Sequence, residues 1–113
     1  MVKSISRSAE FEEAATSGKR LRSQAISLAF LPTTNGEVKV GMSIPRKVGH
    51  AVIRNKIRRR LRACIDGIEN SMAPGLYVLY VYPGAAAMSY TQLCGTLSQL
   101  VNRAVGSGSV GSQ

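Results

Sequence analysis

The sequence is poor in the residues from which protein active sites and metal centres are built. Its 113 residues include one histidine, two cysteines, six carboxylates and no tryptophan. Cys64 and Cys94 lie far apart, and with His50 as the one histidine they are too few for a structural zinc site. The sequence contains no apparent Ser/His/acid set and no glycine-rich phosphate loop after a strand. It therefore predicts neither a catalytic site nor a metal site in the protein.

Long apolar runs are also missing. No run approaches the ~18 residues that a membrane-spanning helix needs. No apolar stretch follows residues 1–4, so a secretory signal is not expected. The predicted setting is a reducing cytoplasm, where Cys64 and Cys94 are free thiols. Both cysteines are expected to serve as small packing residues.

Positive charge is abundant and concentrated in one segment. Fifteen Lys and Arg against six Asp and Glu give a formal net charge of +9. No acidic residue occurs between Val38 and Ile65, and residues 46–62 hold eight cations: Arg46, Lys47, Arg54, Lys56, Arg58, Arg59, Arg60 and Arg62. Solvated helix faces usually mix both signs. The segment therefore favours a nucleic-acid partner, with an acidic lipid surface or an acidic protein as alternatives.

The first half of the chain predicts a helix and a hairpin. Ser8 is a suitable N-cap for a helix over 9–17, which Gly18 ends. Alternating apolar residues predict strands over 22–31 and 37–44. The Pro-Thr-Thr-Asn-Gly segment between them is a turn signal. We therefore expect an antiparallel hairpin, with residues 1–7 loose.

The basic segment is predicted to be an amphipathic helix over 50–68. At 100° per residue, its apolar residues fall within an arc of about 120°. These are Ile53, Ile57, Leu61, Cys64, Ile65 and Ile68. The cations and Asn55 occupy the remaining arc. One stripe is therefore expected to be buried against a sheet, with the basic residues exposed.

The second half adds a strand and a last helix. The apolar run 76–82 predicts an inner strand, and Ser89 with Gln92 forms a capping box for a helix. This order of elements predicts an α+β fold, a small two-layer sandwich with a three- to four-stranded sheet. We expect one RNA-binding domain over 1–105 and a flexible Gly/Ser-rich tail over 106–113.

The stretch from Met42 to Arg62, MSIPRKVGHAVIRNKIRRRLR, resembles the signature of the bacterial ribonuclease P protein subunit. That signature is a strand, a Lys-Lys-Val-Gly-like segment and an Arg-Asn-Arg-type helix. The resemblance implies that the catalyst is a partner RNA, which uses magnesium to remove the 5′ leader from precursor tRNA. The protein is then expected to bind both the catalytic RNA and the leader.

The resemblance also implies which side chains bind RNA. By position these are Lys47, Arg54, Asn55, Lys56, Arg58, Arg59 and Arg62, and Phe11 lies in a leader-binding cleft. Ala15 and Ala29 stand where many relatives have cleft aromatics, and Tyr82 stands where many have arginine. The two alanines are therefore expected to weaken stacking on the leader. His50 is expected to contact phosphate or solvent rather than to act as a base.

Two other functions compete with this one. A non-enzymatic RNA-binding module of ribosomal-protein type would share the basic helix, but the motif from Met42 to Arg62 favours the ribonuclease P subunit. A membrane-surface protein is disfavoured, because the apolar stripe of the helix is needed for the core and lacks Trp and Phe.

Overall fold

The structure, a computed structural model, describes residues 2–5 and 8–109, with side chains as far as residue 105. Within these residues the strands are β1 (Lys3–Ser4), β2 (Lys19–Ser23), β3 (Ile26–Pro32), β4 (Val38–Ser43) and β5 (Gly75–Val81). The α-helices are α1 (Ser8–Ser17), α2 (Ala51–Ile68) and α3 (Tyr90–Ser109). Short 3-10 turns span Arg46–Val48, Glu69–Ser71 and Pro83–Ala87.

The strands form one mixed sheet in the order β1-β4-β5-β3-β2. The central strand β5 pairs antiparallel with β3 and parallel with β4. Because parallel neighbours need a long crossover connection, α2 becomes the link between β4 and β5. The basic helix is thus attached to the sheet at both of its ends.

The α+β class is confirmed, but the sheet has five strands rather than three or four. The extra strands are β2 and the short β1, which lies in the segment expected to be loose. Lys3 and Ser4 pair with Lys39 and Val40 of β4, and the Ile5 amide donates to the Val40 carbonyl at 3.0 Å. These backbone bonds hold residues 3–5 against β4.

The predicted hairpin is wrong. Strands β3 and β4 are not neighbours, because the apolar β5 takes the central position between them. Strand β3 instead forms a hairpin with β2, in which Ser23 pairs with Ile26 across a two-residue turn. Gln24 adopts a left-handed φ of 54° there, the conformation that such tight turns require.

Helices cover both faces of the sheet, so the fold has one layer more than predicted. Helix α1 packs on one face, where Ala14, Ala29, Leu76 and Val78 form a small core. Helices α2 and α3 pack on the other face over the main core. Its largest fully buried side chains are Tyr77, Ile26, Leu28, Leu61, Leu79, Leu93, Leu97, Leu100, Val81 and Val101.

The prediction of free thiols is also wrong. Cys64 of α2 and Cys94 of α3 are joined by a disulfide, with their Cα atoms 5.2 Å apart. Each cysteine was placed correctly in or near the packing stripe of its helix. The stripes face each other, and the sequence carries no sign of that pairing.

The last helix extends into the segment 106–113, which the sequence predicts to be a flexible tail. It continues to Ser109, four residues beyond the predicted end of the domain at residue 105. Residues 110–113 of the predicted flexible tail lie outside the described residues.

Gly18 ends α1 where there is no room for a side chain. A Cβ there would lie 2.4 Å from the Ala14 carbonyl oxygen and 2.8 Å from that of Phe30. Because both are backbone atoms, we expect Gly18→Ala to lower the free energy of unfolding by about 2 to 3 kcal/mol in urea denaturation. Gly67→Ala in α2 is the control, since its Cβ meets nothing within 4 Å. An equal effect of both changes would contradict the steric explanation.

Candidate nucleic-acid interface

Helix α2 is held to the core by its later turns. Ile57, Leu61, Cys64 and Ile65 are buried, whereas residues 51–53 are exposed. Ile53 was predicted to be in the buried stripe, but it is 37% exposed. The first turn of α2 therefore lies outside the core, and the buried part of the apolar stripe begins at Ile57.

The side chains predicted to bind RNA lie along one continuous surface on α2 and the 3-10 turn before it. This surface, the basic face, comprises Lys47, Arg54, Asn55, Lys56, Arg58, Arg59 and Arg62. Arg54 and Arg58 are half-buried rather than fully exposed, and the other five are exposed. The structure therefore brings together the whole predicted set apart from Phe11.

Hydrogen bonds orient the arginines of this face. Arg54 Nε donates to the Gly49 carbonyl at 3.2 Å, and Arg58 Nη1 donates to Asn55 Oδ1 at 2.9 Å. A guanidinium has five N–H donors, so each arginine keeps donors for a ligand. Arg54 and Arg58 are one helical turn apart, ~5.4 Å, a spacing comparable to that of successive phosphates on a strand.

Acidic side chains elsewhere in the fold neutralise cations of the sheet. Glu37 forms an ion pair with Lys3, and Glu10 with Lys39 at 2.8 Å. The hydrogen bond from Lys3 and its positive charge lower the pKa of the Glu37 carboxyl. These pairs lie around β1 and β4, so they leave the charge of the basic face in place.

A shallow depression marks the start of α2. It has a volume of about 290 Å³ and is lined by Arg46, Gly49, His50, Ala51 and Arg54. His50 is the N-cap residue, and its side chain makes no capping hydrogen bond. Two guanidinium groups beside a helix N-terminus produce a positive local potential. The depression is thus chemically suited to a phosphate group, in keeping with the expected role of His50.

Phe11 lies on the opposite face of the sheet from α2. Its half-buried ring covers Gly41, where a Cβ would lie only 3.1 Å from the ring. It meets the Tyr80 ring edge to face, with centroids 6.3 Å apart. The ring is partly packed against the sheet and partly exposed to solvent. Its exposed part forms an aromatic surface between α1 and the sheet.

A pair of stacked arginines on this second face was missed by sequence reasoning. The guanidinium carbon of Arg20 lies 4.2 Å from the centre of the Tyr80 ring, and that of Arg22 lies 4.0 Å from the centre of the Tyr82 ring. We call these four residues the Arg/Tyr patch. The arginines reach from β2 across the small side chains of β3. The alternation of Arg20 and Arg22 indicates that both side chains lie on one face of a strand. Which residues they meet depends on the order of the strands in the sheet.

The buried Ser27 connects the two halves of the Arg/Tyr patch. Arg20 Nε donates to Ser27 Oγ at 3.4 Å, and Ser27 Oγ donates to the Leu21 carbonyl at 3.1 Å. Burial raises the pKa of Tyr82, but hydrogen bonds with Arg20 and Ser27 and the charges of Arg20 and Arg22 bring that pKa below 10.0. The Arg20 guanidinium is thus held against the Tyr80 ring, which also contacts the Phe11 ring.

Over residues 2–5 and 8–109, no cluster of three or more His, Cys, Asp or Glu is arranged to hold a metal ion. In the same part of the chain, none of the helices has the length and apolar character to cross a membrane.

Comparisons with known proteins agree on one family. The family model described as Ribonuclease P matches residues 2–105. A ribonuclease P protein component from Xylella fastidiosa is 36% identical over 95 residues, which covers 83% of this chain and 70% of the relative. One from an Exiguobacterium species is 25% identical over 100 residues, 88% of each chain.

Solved structures show the same fold. The Staphylococcus aureus RNase P protein has a TM-score of 0.82 at 20% identity and covers 88% of this chain and 92% of that chain. The Thermotoga maritima RNase P protein has a TM-score of 0.76 at 20% identity, with 83% and 90% covered. With a family match that spans nearly the whole chain, the chain belongs to the ribonuclease P protein family.

Proposed function

We propose that this ribonuclease P protein subunit binds the catalytic RNA through the basic face of α2. It binds the 5′ leader of precursor tRNA beside Phe11. The observation that carries the proposal is the row of Arg54, Arg58 and Arg62 on α2, whose guanidinium groups hydrogen-bond to uncharged oxygen atoms. Cations that bind phosphates release counterions, and this release is a major source of affinity for nucleic acid.

In this proposal the chemistry belongs to the RNA. Phosphate oxygens are ligands that Mg²⁺ prefers, so the magnesium used in cleavage is assigned to the partner RNA and its substrate. The protein contributes positive charge where the RNA backbone and the precursor come together. Residues 1–105 form the RNA-binding domain, and the cytoplasm, where precursor tRNA is processed, is its proposed location.

The leader surface combines Phe11 with the Arg/Tyr patch. Ala29 is fully buried and offers no ring to a base, as expected from the sequence. Arg20 and Arg22 are exposed and can pair with phosphate or stack on a base. Arg22 stacks on the Tyr82 ring, so this end of the Arg/Tyr patch also presents a cation.

The competing function is an RNA-binding module of ribosomal-protein type. Capture of the tagged chain from its own cells, followed by RNA sequencing, distinguishes the two. A ribonuclease P subunit is expected to enrich one structured RNA of several hundred nucleotides together with precursor tRNA. Enrichment of ribosomal RNA alone would overturn the proposal.

Phe11→Ala tests the leader surface. We expect it to weaken binding of leader-bearing precursor relative to mature tRNA by about 1 to 2 kcal/mol, the stacking energy of roughly one base. The measurement is a titration of the holoenzyme with both RNAs, with a thermal melt of the variant as the control. Equal losses for both RNAs together with a lower melting temperature would show that Phe11 acts only as a core residue.

A further inference from the structure

We propose that Cys64 and Cys94 form a reversible thiol–disulfide site, which exchanges with low-molecular-weight thiols and disulfides. Closing this bond fixes α2 in the position that binds RNA. The effect on RNA binding rests on the proposed function, in which the basic face binds the RNA. The thiol–disulfide site itself is inferred from the geometry of the two cysteines.

The site lies where α2 crosses α3. The two Cα atoms are 5.2 Å apart, within the range that a disulfide spans without backbone movement. Cys64 is 5% exposed and sits among the buried residues of the main core. Cys94 is only partly buried at the margin of the same core. The two residues therefore differ in their exposure to solvent.

This difference in access defines the order of the exchange reaction. The Cys94 thiolate attacks one sulfur of a low-molecular-weight disulfide such as oxidised glutathione, and one glutathione thiolate leaves. The Cys64 thiolate then attacks the Cys94 sulfur of the mixed disulfide and displaces the second glutathione. The two protein thiols are oxidised, and one glutathione disulfide is reduced to two thiols. Reduction by glutathione runs the same steps in reverse, starting with attack on Cys94.

The bond matters for α2 because the packing of the helix against the core is uneven along its length. Residues 51–53 are exposed, and the buried contacts begin at Ile57. Cys64 lies just after Arg62, the last residue of the basic face. A covalent link at this position fixes the rotation of the helix about its axis, and hence the direction of the arginine rows. In the dithiol form, the packing of the buried Ile57, Leu61 and Ile65 opposes that rotation without a covalent link.

The experiment equilibrates the full chain in glutathione buffers of graded ratio and measures the fraction bonded by mass after thiol alkylation. We expect a single transition between dithiol and disulfide. The melting temperature of the disulfide form should be higher by about 10 °C, since the bond restricts the unfolded chain. Amide hydrogen exchange along α2 should be slower in that form.

The second measurement is the affinity of each form for transcribed ribonuclease P RNA. We expect about fivefold tighter binding by the disulfide form. Because coupling is reciprocal, adding the RNA should shift the glutathione midpoint toward the disulfide by the same factor. The Cys64→Ala/Cys94→Ala chain is the control, and its affinity should not respond to the glutathione ratio.

The outcomes separate the two proposals. Thiols that stay free at every ratio, or a bond that stays closed at every ratio, would overturn the redox site. Hydrogen exchange of α2 that is equal in both forms would overturn the statement that the bond fixes α2. If neither form binds the RNA, the proposed function fails, and the exchange data alone still decide whether the bond fixes α2. Equal affinities with slowed exchange would overturn the link to RNA binding.

Discussion

Replacing Arg54, Arg58 and Arg62 together by alanine should weaken binding of the catalytic RNA by about 100-fold or more. Each arginine is expected to make a charged hydrogen bond to phosphate, worth roughly 1.5 kcal/mol or more before compensation by neighbours. The loss should also appear in the salt dependence, because each contact releases about one counterion. The slope of log affinity against log salt should therefore fall by roughly two to three. Filter binding over a range of salt concentrations measures both quantities.

Two controls distinguish RNA contacts from general charge and from folding. Arg103→Ala removes an exposed cation of α3 outside the basic face, and should leave the slope nearly unchanged. Asn55→Ala removes an uncharged member of the face, so affinity should fall while the slope stays constant. Loss of stability in the triple variant with an unchanged slope would show that the arginines are structural. Since Arg54 and Arg58 are half-buried, a small loss of stability is expected from their aliphatic stems.

Adding the chain to its catalytic RNA should lower the magnesium concentration needed for cleavage severalfold. The chain brings a net charge of +9 to a complex in which metal ions otherwise offset phosphate repulsion. Initial rates of precursor cleavage against magnesium concentration, with and without the chain, measure the shift. The chain alone should not cleave. RNA-free, nuclease-controlled protein that cuts at the mature 5′ end would overturn this assignment of catalysis to the RNA.

The helices were predictable because helical signals are local. The basic helix was expected over 50–68 and spans Ala51–Ile68, and the first helix was expected over 9–17 and spans Ser8–Ser17. A period of 3.6 residues, a capping side chain and a terminal glycine all act within one segment. The inner strand was recognisable for a similar reason, since its continuous apolar run indicates burial on both faces.

The pairing of strands was not predictable, because pairing joins distant segments. The turn at Asn35-Gly36 marks a reversal of the chain but does not say which strand comes next in the sheet. Strand β5 enters between β3 and β4 from about 40 residues along the chain. The hairpin at Gln24 was hidden because its left-handed residue is not glycine or asparagine.

The two halves of the candidate site differ in the same way. The basic face follows from charge and helical spacing within one segment, so the residues could be named from the sequence. The Arg/Tyr patch depends on Arg20 and Tyr80 meeting across β3, and the disulfide depends on two helices packing together. Both are consequences of tertiary structure that no single segment encodes.

The most direct test of the account compares two reconstituted enzymes at limiting magnesium. One contains the unaltered chain and the other the Arg54→Ala/Arg58→Ala/Arg62→Ala variant, each titrated into the catalytic RNA with precursor tRNA. We expect the unaltered chain to restore cleavage at the mature 5′ end, and the variant to need about 100-fold more protein to do so. Equal stimulation at equal protein concentration, by a variant shown to be folded, would contradict it.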